Sequence, residues 1–174
     1  DLEGFELQSL TSSTDTYVIF SYDADWGNED SWSPFIYDYF SETLKDRRTF
    51  GQEFRLVSDE ADLNRNKKIE WIFGVSYLEI KESNLKKDDG NYGDPSDPYG
   101  PYASSSSSLS KYKSENFSVF GNIDYLLSET IKLSLGMRWE DWESEYSDTL
   151  GDEFNPSNNM SGGKISLIKK IEND

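Results

Sequence analysis

The residues 131–139 alternate without a break. Ile131, Leu133, Leu135, Met137 and Trp139 fall on one side of an extended chain, and Lys132, Ser134, Gly136 and Arg138 fall on the other. A period of two is a strand signal and is incompatible with a helix face, whose apolar positions recur every three or four residues. The same pattern returns along the chain and gives seven strand expectations, at 4–11, 16–26, 49–58, 68–81, 115–127, 130–143 and 163–171. Phe117, Val119, Ile123, Tyr125 and Leu127 oppose Ser118, Asn122 and Asp124, with Phe120 out of phase. Trp71, Phe73 and Val75 share a face, although Ile72 and Leu78 blur the other. The 16–26 stretch has no phase, because Tyr17 and Ile19 compete with Val18, Phe20 and Tyr22.

The connections carry a second signal. Short ones at 12–15, 59–67 and 128–129 alternate with long ones at 27–48, 82–114 and 144–162. In an up-and-down meander this puts every tight turn at one end and every large loop at the other. Transmembrane barrels have that asymmetry, with short periplasmic turns and longer outer loops. Nine residues of strand span ~30 Å at ~3.3 Å each. Tilted by ~45°, they rise roughly 20 Å, close to the ~25 Å apolar band of such barrels. Placing Arg138 or Lys132 in lipid would cost up to ~2–4 kcal/mol each near the midplane. The charged face is therefore the lumen, with Glu53, Arg55, Arg138 and Glu140 on it. Charges two apart on one strand sit too far apart for ideal pairing, so their partners are expected on neighbouring strands. Trp71, Phe73, Val75, Val119, Ile123, Leu133, Leu135, Met137 and Trp139 face lipid.

Composition narrows the chemistry. The 174 residues carry 17 basic and 34 acidic side chains, a net charge of −17, which argues against nucleic acid as a partner. With no Cys and no His, disulfides, His-based triads and the usual zinc ligands are excluded. No residue pattern calls for a cofactor. Paired carboxylates are the only plentiful catalytic chemistry, and none is singled out, so no enzyme is expected. The run 62–70, DLNRNKKIE, echoes the start of an EF-hand loop. Lys67 replaces its turn glycine and Phe73 its bidentate glutamate, so no metal is assigned. In the first long loop, Trp32, Phe35, Tyr37 and Tyr39 stand among acids as candidate contacts for a flat ligand. The stretch 88–110, with five consecutive serines, reads as a mobile loop.

Five segments, in order, resemble the barrel of TonB-dependent outer-membrane receptors. They are RTFGQEFRLVS at 48–58, IEWIFGVSY at 69–77, FSVFGNIDY at 117–125, LSLGMRW at 133–139 and GKISL at 163–167. The resemblance covers about two thirds of the chain. It implies an all-β antiparallel meander of about seven long strands, the whole of 1–174 being part of a large transmembrane β-barrel. Such receptors have about 22 strands around an N-terminal plug, and a TonB box; neither plug nor box is found here. The expected parent is an outer-membrane protein of a Gram-negative bacterium, importing a scarce small-molecule or metal-chelate ligand, most commonly an iron–siderophore complex. Its implied partners are outer-membrane lipid and lipopolysaccharide, with the plug and TonB engaged through the rest of the parent chain. A secreted β-sandwich that binds carbohydrate, and a passive porin, remain the alternatives.

Overall fold

In a computed structural model, residues 4–28, 30–61 and 68–170 are described. They form one antiparallel sheet of seven strands. These are β1 (Phe5–Asp23), β2 (Ile36–Ser58), β3 (Ile69–Gly93), β4 (Tyr102–Leu126), β5 (Ile131–Asp148), β6 (Glu153–Phe154) and β7 (Ser157–Lys169). The first five follow one another as a meander. β6 and β7 both pair with β5 in a single register, Tyr146 opposite Phe154 and Glu143 opposite Ser157. They are one returning strand, interrupted at Pro156, which has no N–H to give to the ladder.

The register settles the faces. Leu133, Leu135, Met137 and Trp139 stand opposite Tyr125, Ile123, Gly121 and Val119 on β4. These in turn stand opposite Ile69, Trp71, Phe73 and Val75 on β3, and Phe73 and Val75 meet Leu56 and Phe54 on β2. One face is thus apolar over 69–77 of β3 and the equivalent height of its neighbours. It is thinnest at β1, where Ser9 and Thr11 lie at this height. No apolar side chain among the described residues is buried, and Leu135 and Met137 are 42% and 74% exposed. A β-sandwich would have covered them with a second sheet; this sheet is a single layer.

Glycines let large rings lie flat against it. A Cβ on Gly121 would stand 2.5 Å from the Phe73 ring on the apolar face. On the opposite face a Cβ on Gly74 would stand 2.4 Å from the Phe120 ring. That close packing explains the aromatic residue that breaks the alternation of β4.

Three expectations are corrected. The turn at 12–15 does not exist: Ser12, Ser13, Thr14 and Asp15 lie mid-strand in β1, opposite Gly51, Phe50, Thr49 and Arg48. The run is polar but lacks glycine or proline, and threonine suits a pleated strand. The expected strands at 4–11 and 16–26 are consequently one. The loops expected at 27–48, 82–114 and 144–162 shrink to 24–35, 94–101 and 149–152, because β2, β3 and β4 run 23, 25 and 25 residues and β6 pairs with the end of β5. At ~3.3 Å per residue these reach roughly 75–80 Å, well beyond a ~25 Å apolar band. The five serines are strand as well, Ser104 to Ser108 pairing with Gly90 to Lys86.

A tight turn stands at 127–130, around the expected 128–129. Ser128 Oγ accepts the N–H groups of Thr130 and Ile131, which closes it. The turn at 59–67 and the EF-hand echo fall largely on 62–67, outside the described residues.

Candidate functional site

At the end opposite the tight turns, the connection between β1 and β2 is held by Asp25. Its Oδ1 accepts the Gly27 N–H at 2.8 Å, and its Oδ2 accepts the Tyr39 N–H at 3.2 Å. The Ala24 N–H donates to the Tyr39 carbonyl at 2.7 Å. These bonds fold the loop back over the start of β2. Trp32 then meets Tyr37 edge-on at 5.3 Å, and Tyr37 meets Tyr39 at 4.9 Å. Phe35 follows Trp32, its N–H on the Trp32 carbonyl at 2.8 Å. Asp23, Asp25 and Asp38, with Trp32, Phe35 and Tyr37, border a hollow of about 490 Å³.

Two residues missed by the sequence reading extend this cluster. Tyr37 stands opposite Tyr92, and Tyr92 opposite Tyr102, so three tyrosines line one row across three strands. The Tyr92 and Tyr102 rings are 5.5 Å apart, and the Tyr102 hydroxyl donates to Asp97 at 2.8 Å. The signal was present only as a hairpin register: folding 94–101 as the turn brings 92 and 102 together. All four proposed aromatics are in one place, but Tyr37 and Tyr39 belong to a strand and only Trp32 and Phe35 to a loop.

The charged face carries ion pairs of a kind not expected. Arg55 pairs with Glu53, and Arg138 with Glu140, each on its own strand. Residues two apart on a strand point the same way, and both side chains are long enough to lean along it and close the gap. The Arg138 guanidinium also lies 5.7 Å over the Phe120 ring. Pairing across strands does occur elsewhere on this face. Lys132 reaches Glu70 at 3.0 Å and Asp124 at 2.7 Å.

Farther toward the aromatic end, Glu82 lies between Lys45 at 3.0 Å and Arg47, with Asn84 donating at 2.9 Å. Burial pushes the Glu82 carboxyl up, but the bonds from Asn84, Lys45 and Arg47 outweigh it and hold its pKa below the usual value. A carboxyl depressed in the folded state stabilises above its unfolded pKa, and that contribution is lost as pH falls through the folded value. Hydrogen-exchange protection of the outer parts of β2 and β3, corrected for intrinsic rates, should therefore fall below about pH 4. Glu82→Gln should remove that acid step; an unchanged step in the variant would assign it to another group.

Among the described residues no group of three or more Asp, Glu, His or Cys side chains is placed to hold a metal ion.

A family model described as "TonB dependent receptor-like, beta-barrel" matches residues 3–166. No curated protein matches the chain. Among solved structures, the ferric yersiniabactin uptake receptor FyuA from Yersinia pestis is 13% identical, with a TM-score of 0.38, over 91% of this chain and 25% of that one. The ferric citrate transporter FecA, unliganded, is 16% identical, with a TM-score of 0.45, over 93% and 26%. The chain thus spans about a quarter of the length of either structure.

Proposed function

Because the chain belongs to the TonB-dependent receptor β-barrel family, we propose that it forms part of the wall of a receptor in the outer membrane of a Gram-negative bacterium. The receptor imports a scarce small-molecule or metal-chelate ligand, and an iron–siderophore complex is the ligand we favour. The observation that carries this reading is the two-faced sheet. Its apolar face has no second layer, while Glu53, Arg55, Lys132, Arg138 and Glu140 stand on the other. Lipid on one side and a wet lumen on the other satisfy both.

The lumenal pairs of Arg55 and Arg138 face the plug of the complete receptor, and TonB acts through that plug. The ends of β2, β3 and β4 beyond the apolar band extend outside the cell. There Trp32, Phe35, Tyr37 and Tyr39, with Tyr92 and Tyr102, form a platform on which a chelate stacks. On the lipid side Arg48, Lys81 and Lys113 stand in direct register across three strands just past the band. They meet the phosphates of lipopolysaccharide.

The test uses the full-length protein in cells and ⁵⁵Fe-labelled catecholate, hydroxamate and citrate chelates. Uptake of one of them is expected, and expected to stop when the proton-motive force is collapsed. Trp32→Ala with Tyr37→Ala should weaken its binding by about tenfold or more, as two stacking contacts are lost. Uptake that continues without the proton-motive force would identify a passive pore instead.

A further inference from the structure

β4 is paired on only one side over its outer third. Against β3 it is bonded from Tyr102 onward, but β5 ends at Asp148, opposite Ser110. Just below, the Thr149 N–H donates to the Leu109 carbonyl at 3.0 Å, and Thr149 Oγ1 accepts the Leu109 N–H at 3.1 Å, which closes that position. From 102 to 108 no strand of the described residues lies on the β5 side.

Which backbone groups this leaves open follows from the register. Leu126 and Lys68 are opposite one another, and the Leu126 N–H donates to the Lys68 carbonyl at 2.8 Å. Even-numbered residues of β4 therefore point their N–H and C=O toward β3, and odd-numbered ones point them away. Leu127 and Leu109 obey the rule, bonding on the β5 side. The N–H and C=O groups of Ala103, Ser105 and Ser107 are thus three outward donors and three outward acceptors in one line.

This edge lacks the usual protection. Exposed edges are normally blunted by lysine, proline or a bulge. Residues 102–108, YASSSSS, carry no charge and no proline, and pair with β3 without a bulge. The surroundings are acidic. Asp94 and Asp97 lie in the loop above, Asp89 is opposite Ser105, Asp152 lies in the turn below and Glu153 opens β6 beyond it. Two cations of the facing strand are engaged, Lys86 with Asp88 at 2.9 Å and Lys87 with Glu42 at 3.5 Å.

We propose that the outer edge of β4, through Ala103, Ser105 and Ser107, binds an extended polypeptide strand bearing lysine or arginine side chains. Main-chain bonds to the open edge supply affinity and the acids select for basic side chains. A second copy of this chain would place acid against acid and is disfavoured. That the edge lies outside the cell rests on the reading above; the edge itself does not.

The experiment uses the full-length protein in detergent and a fluorescein-labelled octapeptide of alternating Lys and Val. The peptide should bind and raise hydrogen-exchange protection at Ala103, Ser105 and Ser107. Ser105→Pro with Ser107→Pro removes two outward N–H groups and leaves the ladder to β3 intact. It should weaken binding by about tenfold or more. The unaltered protein should also fail to bind the same peptide N-methylated at every residue, which leaves a free N–H on neither of its edges, an arm that does not depend on the variant folding. A Glu–Val octapeptide should not bind. No binding of the Lys–Val peptide, or equal binding by the proline variant, the N-methylated peptide or the acidic peptide, would overturn the proposal. Energised uptake is measured separately, so loss of either reading leaves the other standing.

Discussion

Leu135→Arg is expected to abolish assembly of the full-length protein in the outer membrane, while Leu10→Arg assembles. Both replace an exposed leucine with the same cation, and they differ in the face. Leu135 sits in the apolar band, opposite Ile123 on β4 and Ile165 on β7. An arginine there costs up to ~2–4 kcal/mol at lipid depth, and nothing acidic stands beside it in the band. Leu10 is on the opposite face, directly across from Glu53. An arginine there enters water and meets a carboxylate already paired with Arg55. Heat-modifiable mobility on gels and protease resistance of the outer-membrane fraction read the outcome. Equal loss of assembly in both variants would contradict the assignment of faces.

In the outer-membrane placement proposed above, the two faces are legible because lipid enforces the alternation. Every side chain of β5 from Leu133 to Trp139 is either in an apolar phase or out of it, and the alternation records that choice. The signal stops where the apolar band stops. Above the band Tyr17, Val18, Ile19 and Phe20 are all exposed, so neither face favours one pair over the other. Their register, Tyr17 opposite Asp46 and Val18 opposite Lys45, is that of the backbone ladder. The same loss of pattern made the outer parts of β2, β3 and β4 read as long loops, and made the polar run at 12–15 read as a turn. The Arg55–Glu53 and Arg138–Glu140 pairs were misplaced for a different reason: backbone spacing was weighed without the reach of the side chains. Tyr92 and Tyr102 were invisible because a cross-strand row exists only once the hairpin register is known.

That row makes Gly90 the most sensitive position of the outer platform. It stands directly opposite Tyr39. A Cβ there would lie 2.4 Å from the Asp38 carbonyl oxygen and 2.5 Å from the Tyr39 ring. The ring can swing aside, but the carbonyl is backbone and moves only if the β2–β3 ladder opens. Gly90→Val is therefore expected to cost about 1–3 kcal/mol locally and to displace Tyr39, and with it the stack through Tyr37 to Trp32. The position lies far above the apolar band, so assembly should survive. Binding of the ferric chelate by the full-length protein should weaken by about tenfold or more, the equivalent of some 1.4 kcal/mol. Gly162→Val is the matched control, since a Cβ there meets nothing within 4 Å, and it should bind as the unaltered protein does. A Gly90→Val protein that assembles and retains full affinity would remove Trp32, Tyr37 and Tyr39 from the ligand platform and move recognition to another part of the receptor.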